Sequence, residues 1–346
     1  MRPVKKLVLF TFDYELFLGN RSGKPQDCII KPTEKILSLL DRHHFKGVFF
    51  VDTVYLLKLK TVAESFDQAQ KDQAAIYEQL RNILKQGHYI FPHIHPHWLD
   101  AEYLPKENEW SLNELRFYQF SSLTQAQQTS LFDDSVELIR TIANSVTQDY
   151  VIDSYRAGGW SIQPFSFFKP HFLKHGIQHE WSVLPGKYVT SDAHSFDFRN
   201  VDHQAAMYNF DEDITENDNK GSFREWTIST LSLNKFEKWL NFKVSGLIQR
   251  LIKKEKIKGA TVSSKIKDEG DVYSDKDGLR LIASFEGLNP YNLLKYLANI
   301  KRSPYFHFIS HPKLITRVEF QMVKILFRAL SKQKDLETDF RKVTDQ

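Results

Sequence analysis

The chain has one cysteine, Cys28, among its 346 residues. That excludes an intramolecular disulfide and any cysteine-built zinc cluster, and it suits a reducing cytoplasm, the expected location. Charge of one sign is also scarce. The net charge is +4, too mild to mark a nucleic-acid-binding surface. No window approaches about 18 uncharged apolar residues, so no transmembrane helix is expected. The opening MRPVKKLVLFTFDYELFLGN has the basic start of a secretory leader. However, Asp13 and Glu15 interrupt its apolar run and no small-residue cleavage site follows, so it is expected to be a buried first strand. No internal repeat is present.

What is abundant is apolar and aromatic side chain, 41% and 14% of residues, enough for one large core. Buried-type runs alternate with helical periods. KLVLFTF (6–12) reads as a strand. Pro32 opens a helix with Ile36, Leu37, Leu39 and Leu40 on one face, and GVFFVD (47–52) is a second strand. Gly87 closes a longer helical region. Residues 100–122 have no clear period and read as a long loop over a mouth. A helix over 124–144, a strand at 151–156, a helix at 163–175 and a strand at 177–183 follow. The alternation then breaks into an irregular region, about 185–285. It includes an alternating strand at 223–233 and a basic amphipathic helix with Arg250, Lys253, Lys254, Lys256 and Lys258, a candidate for peripheral membrane contact. YFHFIS (305–310) is the last strand, a terminal helix covers about 316–332, and 333–346 is a charged tail. The pattern predicts a single α/β domain over 1–346 with a long insertion.

The densest polar feature is Gly87 to Trp98, GHYIFPHIHPHW, with His88, His93, His95 and His97. Buried imidazoles need partners, and neutral imidazole is the commonest ligand for transition metals. His93 and His97 can meet one ion from a helical turn. His93 with His95, or His95 with His97, can do so from an extended strand. The sequence permits either spacing. Other polar residues also fall at strand C-termini: Asp13 and Glu15 after the first strand, Arg156 after the fourth, His311 after the last. Barrel enzymes build their sites at that rim. A carboxylate completes a catalytic zinc site, a second accepts a proton, His311 donates one, and Arg156 orients a carboxylate.

These motifs resemble the polysaccharide deacetylases of the NodB-homology type, carbohydrate esterase family four, in a divergent branch similar to proteins of bacterial surface-polysaccharide clusters. Thr11-Phe12-Asp13-Tyr14-Glu15 is similar to the family's TFDD. Gly87 to Trp98 is similar to its GHEIGNHTxxHP, and Lys46 to Val51 to its KATFFV. Arg156-Ala157-Gly158-Gly159-Trp160 is similar to RxPxG, and Ile309-Ser310-His311-Pro312 to its late histidine. The resemblance implies a distorted (β/α)7-type barrel and a divalent metal, zinc by preference, held by Glu15, His93 and His97, with His95 a bystander. It also implies Asp13 as base, His311 as acid and Arg156 as a further catalytic residue. The roles of Asp13 and Glu15 are interchangeable on sequence. Tyr14, Trp98 and Trp160 are candidate substrate contacts, and a backbone amide near Tyr14 is a candidate oxyanion donor. Trp181 is a weaker candidate for stacking on a sugar.

The family's aspartate brace for the acid histidine is not evident, and Asp192, Asp197 and Glu225 are the candidates. The implied reaction is hydrolysis of an N-acetyl group on a sugar, polysaccharide or saccharide intermediate. Two rivals stand beside it: an amidohydrolase-like or phosphoesterase-like barrel using His93-x-His95, and a non-catalytic sugar-binding protein on a decayed deacetylase fold.

Overall fold

The computed structural model describes residues 6–112, 114–191, 193–251 and 272–344. Seven strands make the barrel: β1 (Lys6–Tyr14), β2 (Val48–Asp52), β3 (Tyr89–Ile94), β4 (Ser154–Ala157), β5 (His179–Glu180), β6 (Phe223–Trp226) and β7 (Tyr305–Ser310). Strands β1 to β6 pair in chain order, all parallel, and β7 lies parallel on the free side of β1. The gap between β5, β6 and β7 is bridged by the residues just after β6. The Ile228 N–H donates to the Val183 carbonyl at 2.9 Å, and the Ser229 N–H donates to the His307 carbonyl at 3.2 Å. The expected strand over 223–233 is therefore two. Its break closes the barrel, and Thr230–Leu233 joins a separate small sheet with Val272–Asp275 and Gly278–Ile282.

The longer helices are α1 (Lys31–His43), α2 (Thr53–Ala63), α3 (Asp67–Lys85), α4 (Gln125–Asn144), α5 (Lys169–His175), α6 (Lys235–Leu251), α7 (Pro290–Arg302) and α8 (Arg317–Leu330). Helix α4 starts with a capping box, in which the Thr124 and Gln127 side chains each take the other's backbone N–H. Core strands read as unbroken apolar runs because both faces are covered. In β1 every residue from Leu7 to Tyr14 is buried.

Inside the barrel, Trp181 stacks on Trp226 with centroids 5.0 Å apart, and Phe340 meets both edge-on. Phe340 comes from the charged tail. That tail docks through Leu336–Glu337, which pairs with Lys6 and Leu7 of β1. Charge there masked one apolar anchor.

The mouth carries more order than its sequence suggested. Glu102–Leu104 and Glu109–Ser111 form a hairpin within the expected loop. In the insertion, Tyr188–Thr190 pairs with Ser195–Asp197, and Met207–Phe210 runs antiparallel to β6. Lys253, Lys254, Lys256 and Lys258 lie outside the described residues, as does the side chain of Arg250.

Three buried histidines serve the fold as neutral rings. Burial holds His88 and His179 down at about 4, and burial together with Arg156 holds His307 at about 3. Below pH ~6.5 the unfolded chain binds protons that these rings refuse in the folded state. Stability should therefore be full above that pH and fall steadily from pH ~6.5 toward 4, by roughly several kcal/mol in all. Thermal midpoints measured between pH 7.5 and 4.5 check this, and a flat profile counts against neutral rings.

Candidate metal centre at the barrel mouth

Strand alternation places Asp13 and Glu15 on one side of β1 and Tyr14 on the other. Tyr14 is buried, and its hydroxyl donates to Gln79 Oε1 at 2.8 Å, so it faces away from the mouth. The same alternation governs β3. His93 lies in the strand, and His95 continues it in extended conformation at φ −110°, ψ 91°. Both rings project to one side. Pro96 then opens a short turn, Pro96–Asp100, and His97 swings out of line.

The donors converge tightly. His95 Nε2 is 2.6 Å from Glu15 Oε2, and His93 Nε2 is 3.5 Å from the same oxygen. The two Nε2 atoms are 3.0 Å apart. Glu15, His93 and His95 thus offer three ligand atoms within 4.8 Å of one another. His97, expected in that set from the four-residue spacing, is not brought into it. Its ring packs 4.9 Å from that of His95 and stacks on Tyr118, and burial next to His95 holds it well below the usual histidine range.

This donor set fits a divalent cation. His93 Nδ1 meets the Arg156 carbonyl at 2.9 Å, which assigns the proton to Nδ1 and leaves Nε2 a free lone pair. Two imidazole nitrogens facing each other at 3.0 Å beside a carboxylate need a proton or a cation between them. Without an ion a proton fills that need. Burial alone pulls His95 down, but Glu15 outweighs it and raises the ring. A cation would displace that proton. Gly158 makes room: a Cβ there would lie 2.5 Å from the Ile94 carbonyl oxygen and 2.7 Å from His95 Nδ1. The glycine of the AGG motif is thus required by the seat of His95.

Around the trio the charges divide cleanly. Asp13 Oδ1 takes Arg156 Nη1 at 2.5 Å, and Asp13 Oδ2 faces His311 Nε2 at 3.5 Å. Burial opposes ionisation of Asp13, but Arg156, His93 and His311 outweigh it and its carboxyl is lowered. Glu15 is half-buried; loss of water opposes its ionisation, but Lys313, 2.8 Å from Oε1, and His95 outweigh that and bring it well below the carboxylate range. Arg156 is fully buried. It also donates to the Trp181 carbonyl at 3.0 Å and to Thr11 Oγ1 at 2.8 Å.

The chain matches no protein-family model, and no curated protein matches it closely. Among solved structures it is similar to a Mycobacterium smegmatis protein assigned to the polysaccharide deacetylases. They share 12% identity over 100% of this chain and 91% of that one, with a TM-score of 0.50. The chain has the polysaccharide-deacetylase fold. A 4-alpha-glucanotransferase from Thermococcus litoralis covers 99% of this chain and 40% of its own, at 10% identity and TM-score 0.49. The catalytic domain of a peptidoglycan N-acetylglucosamine deacetylase from Eubacterium rectale covers 98% and 94%, at 11% and 0.35.

On this deacetylase fold, three residues absent from the sequence reading join the site. Glu286 takes both the backbone N–H and Nδ1 of His311 (the latter at 2.9 Å), and accepts from Ser284 as well. It does what had been expected of Asp192, Asp197 or Glu225. Asp192 lies outside the described residues, and Asp197 is spent on Arg199 at 2.6 Å. Glu225 is buried beside Glu180, and burial plus that neighbour raises it well above the carboxylate range. Asp52, ending β2, is buried and pushed up to about 6 by burial, and it accepts the Trp98 indole N–H. Its position at a strand C-terminus was the available signal. Lys313 and Glu286 gave none, because nothing in their local sequence points at the mouth.

Of the aromatic candidates, Trp98 is buried among Tyr55 and Trp110, and Trp181 is in the barrel core. Trp160 stays half-buried against Phe196. A second donor group, His203, Asp275 and Asp277, sits in the insertion, where Arg280 lies 2.9 Å from Asp275 as its countercharge.

Proposed function

We propose that the protein is a metal-dependent N-deacetylase acting on an N-acetylated saccharide. The observation that carries this reading is the placing of Asp13 Oδ2 3.5 Å from His311 Nε2, beside the donor set of Glu15, His93 and His95. Burial lowers the His311 imidazole, but its bond to Glu286, with Asp13 and Glu15, pushes it up to about 9. At neutral pH a charged imidazole therefore faces an ionised Asp13. General acid–base hydrolysis needs that pair in those states.

Glu15, His93 and His95 would hold the metal, and two imidazoles with one carboxylate favour zinc. A divalent ion there supplies Lewis-acid polarisation of the acetyl carbonyl. Asp13 Oδ2 accepts the proton of the attacking water. His311 Nε2 delivers one to the departing amine, and Glu286 holds the ring with Nε2 toward Asp13. Arg156 does not reach the substrate; it fixes Asp13. Half-buried Trp160 is the aromatic at the rim suited to a sugar face.

The His93-x-His95 pair also suits amidohydrolase-like and phosphoesterase-like barrels. Those usually carry it on the first strand, whereas here it ends the third. The seven-stranded barrel favours the deacetylase reading. Acetate release from N-acetylated oligosaccharides and nucleotide sugars, against phosphate release from phosphoesters, separates the readings. No acetate from metal-loaded protein across that panel would sink the deacetylase.

Glu286→Gln should keep the bond to Nδ1 but weaken the charge that supports protonated His311. The alkaline limb of the activity profile should then move to lower pH by about one unit, with kcat at its plateau within roughly tenfold. An unmoved limb would separate Glu286 from the acid.

A further inference from the structure

Helix α6 turns four of its apolar side chains outward, while Leu240 and Val244 are partly covered. Phe236, Trp239, Phe242 and Leu247 are 66%, 52%, 74% and 60% exposed, the reverse of a helix whose apolar stripe covers a core. Its inner side is polar. Glu237 accepts from Lys295 Nζ at 2.5 Å and from the Tyr291 hydroxyl at 2.8 Å. The Asn241 and Ser245 side-chain oxygens accept from Asn289 Nδ2 at 2.5 and 3.0 Å. The helix thus hangs on α7 by hydrogen bonds and shows its rings to solvent.

Cations frame those rings. Lys235, Lys238 and Lys243 are exposed on the same helix, with Lys243 Nζ 5.8 Å from the centre of the Trp239 ring and Phe236 stacked on Trp239 at 5.7 Å. Between 235 and 247 Glu237 is the sole carboxylate, and it faces inward.

We propose that this outward face of α6 docks on an anionic lipid surface. Aromatic rings at the level of the headgroups, with lysines reaching lipid phosphates, are the pattern of an interfacial helix. A second copy of the chain fits less well, because a two-fold contact would set these lysines against their own images. A protein partner fits less well because lysine is depleted from such interfaces. Asn289, which carries α6, is three residues from Glu286, the brace of His311.

The test is co-sedimentation of the full chain with phosphatidylcholine vesicles, with and without phosphatidylglycerol. Binding should need the anionic lipid and weaken as salt rises. Trp239→Ser/Phe242→Ser should bind at least about tenfold more weakly. Lys235→Glu/Lys238→Glu/Lys243→Glu should lose roughly a hundredfold and all preference for phosphatidylglycerol. Both variants should keep the parent thermal midpoint, because the changed side chains are exposed. Equal binding to both vesicle types, or unchanged binding by both variants, overturns the proposal. So does self-association in sedimentation velocity that the serine variant abolishes, which would give the face to a second copy. Binding is the readout, so the outcome is independent of whether acetate is released.

Discussion

Replacing His95 by alanine is expected to strip the protein of its divalent metal, lowering affinity by more than about 100-fold, while His97→Ala retains it. The contrast follows from where the ring nitrogens lie. His95 Nε2 is 2.6 Å from Glu15 and 3.0 Å from His93 Nε2, whereas His97 stacks on Tyr118 outside the cluster. Glu15→Gln should behave like His95→Ala. Asp13→Asn should keep the ion, because Asp13 already gives one oxygen to Arg156 and its other lies 3.9 Å from His93 Nε2. Metal content by mass spectrometry, with competition titration on each purified variant, reads the difference. The opposite result, loss in His97→Ala and retention in His95→Ala, would restore the four-residue spacing. His97→Ala should still lose roughly 1–3 kcal/mol of stability, as a buried ring is removed beside Tyr118.

The spacing itself shows how far the sequence could be read. The histidine stretch, the carboxylates at the end of β1, Arg156 and His311 were all visible, because each sits where a strand ends and only the barrel had to bring them together. The α/β order was visible too, in apolar runs alternating with helical periods. What the sequence left open was whether His93 was followed by a helical turn or by more strand. Similarity to a motif favoured the turn. Backbone geometry decided otherwise, because β3 runs to Ile94 and Pro96 delays the turn until His95 has already faced inward. Glu286 and Lys313 stayed hidden for another reason. Each reaches the site from a short segment outside the strands, where no period marks a side chain as facing the mouth. The two-residue ladder of β5 was likewise too short to announce its ends, and the closing residues 227–229 look like an ordinary strand until their partners are known.

The second large effect is expected at the Arg156–Asp13 pair. Arg156→Met should cost about 3–5 kcal/mol, because it takes the guanidinium from the buried Asp13 carboxylate and leaves His311 Nε2, 3.5 Å away, to face that charge. It also removes the donors to Thr11 and the Trp181 carbonyl. Arg156→Lys is not a mild change, since an ammonium cannot make these divergent contacts together. Asp13→Asn should lower activity about 10²–10⁴-fold as the proton acceptor is lost. Its stability loss should be smaller, since the amide still offers an oxygen to the guanidinium. The double variant Arg156→Met/Asp13→Asn contains neither buried charge. Urea unfolding should show it more stable than the sum of the single losses by about 1–3 kcal/mol, while acetate release stays at the Asp13→Asn level. Strict additivity would mean that the two charges do not depend on one another, and Arg156 would lose its role as the group that keeps Asp13 ionised. Recovery of stability without recovery of activity would separate what the pair does for the barrel from what Asp13 does at its mouth.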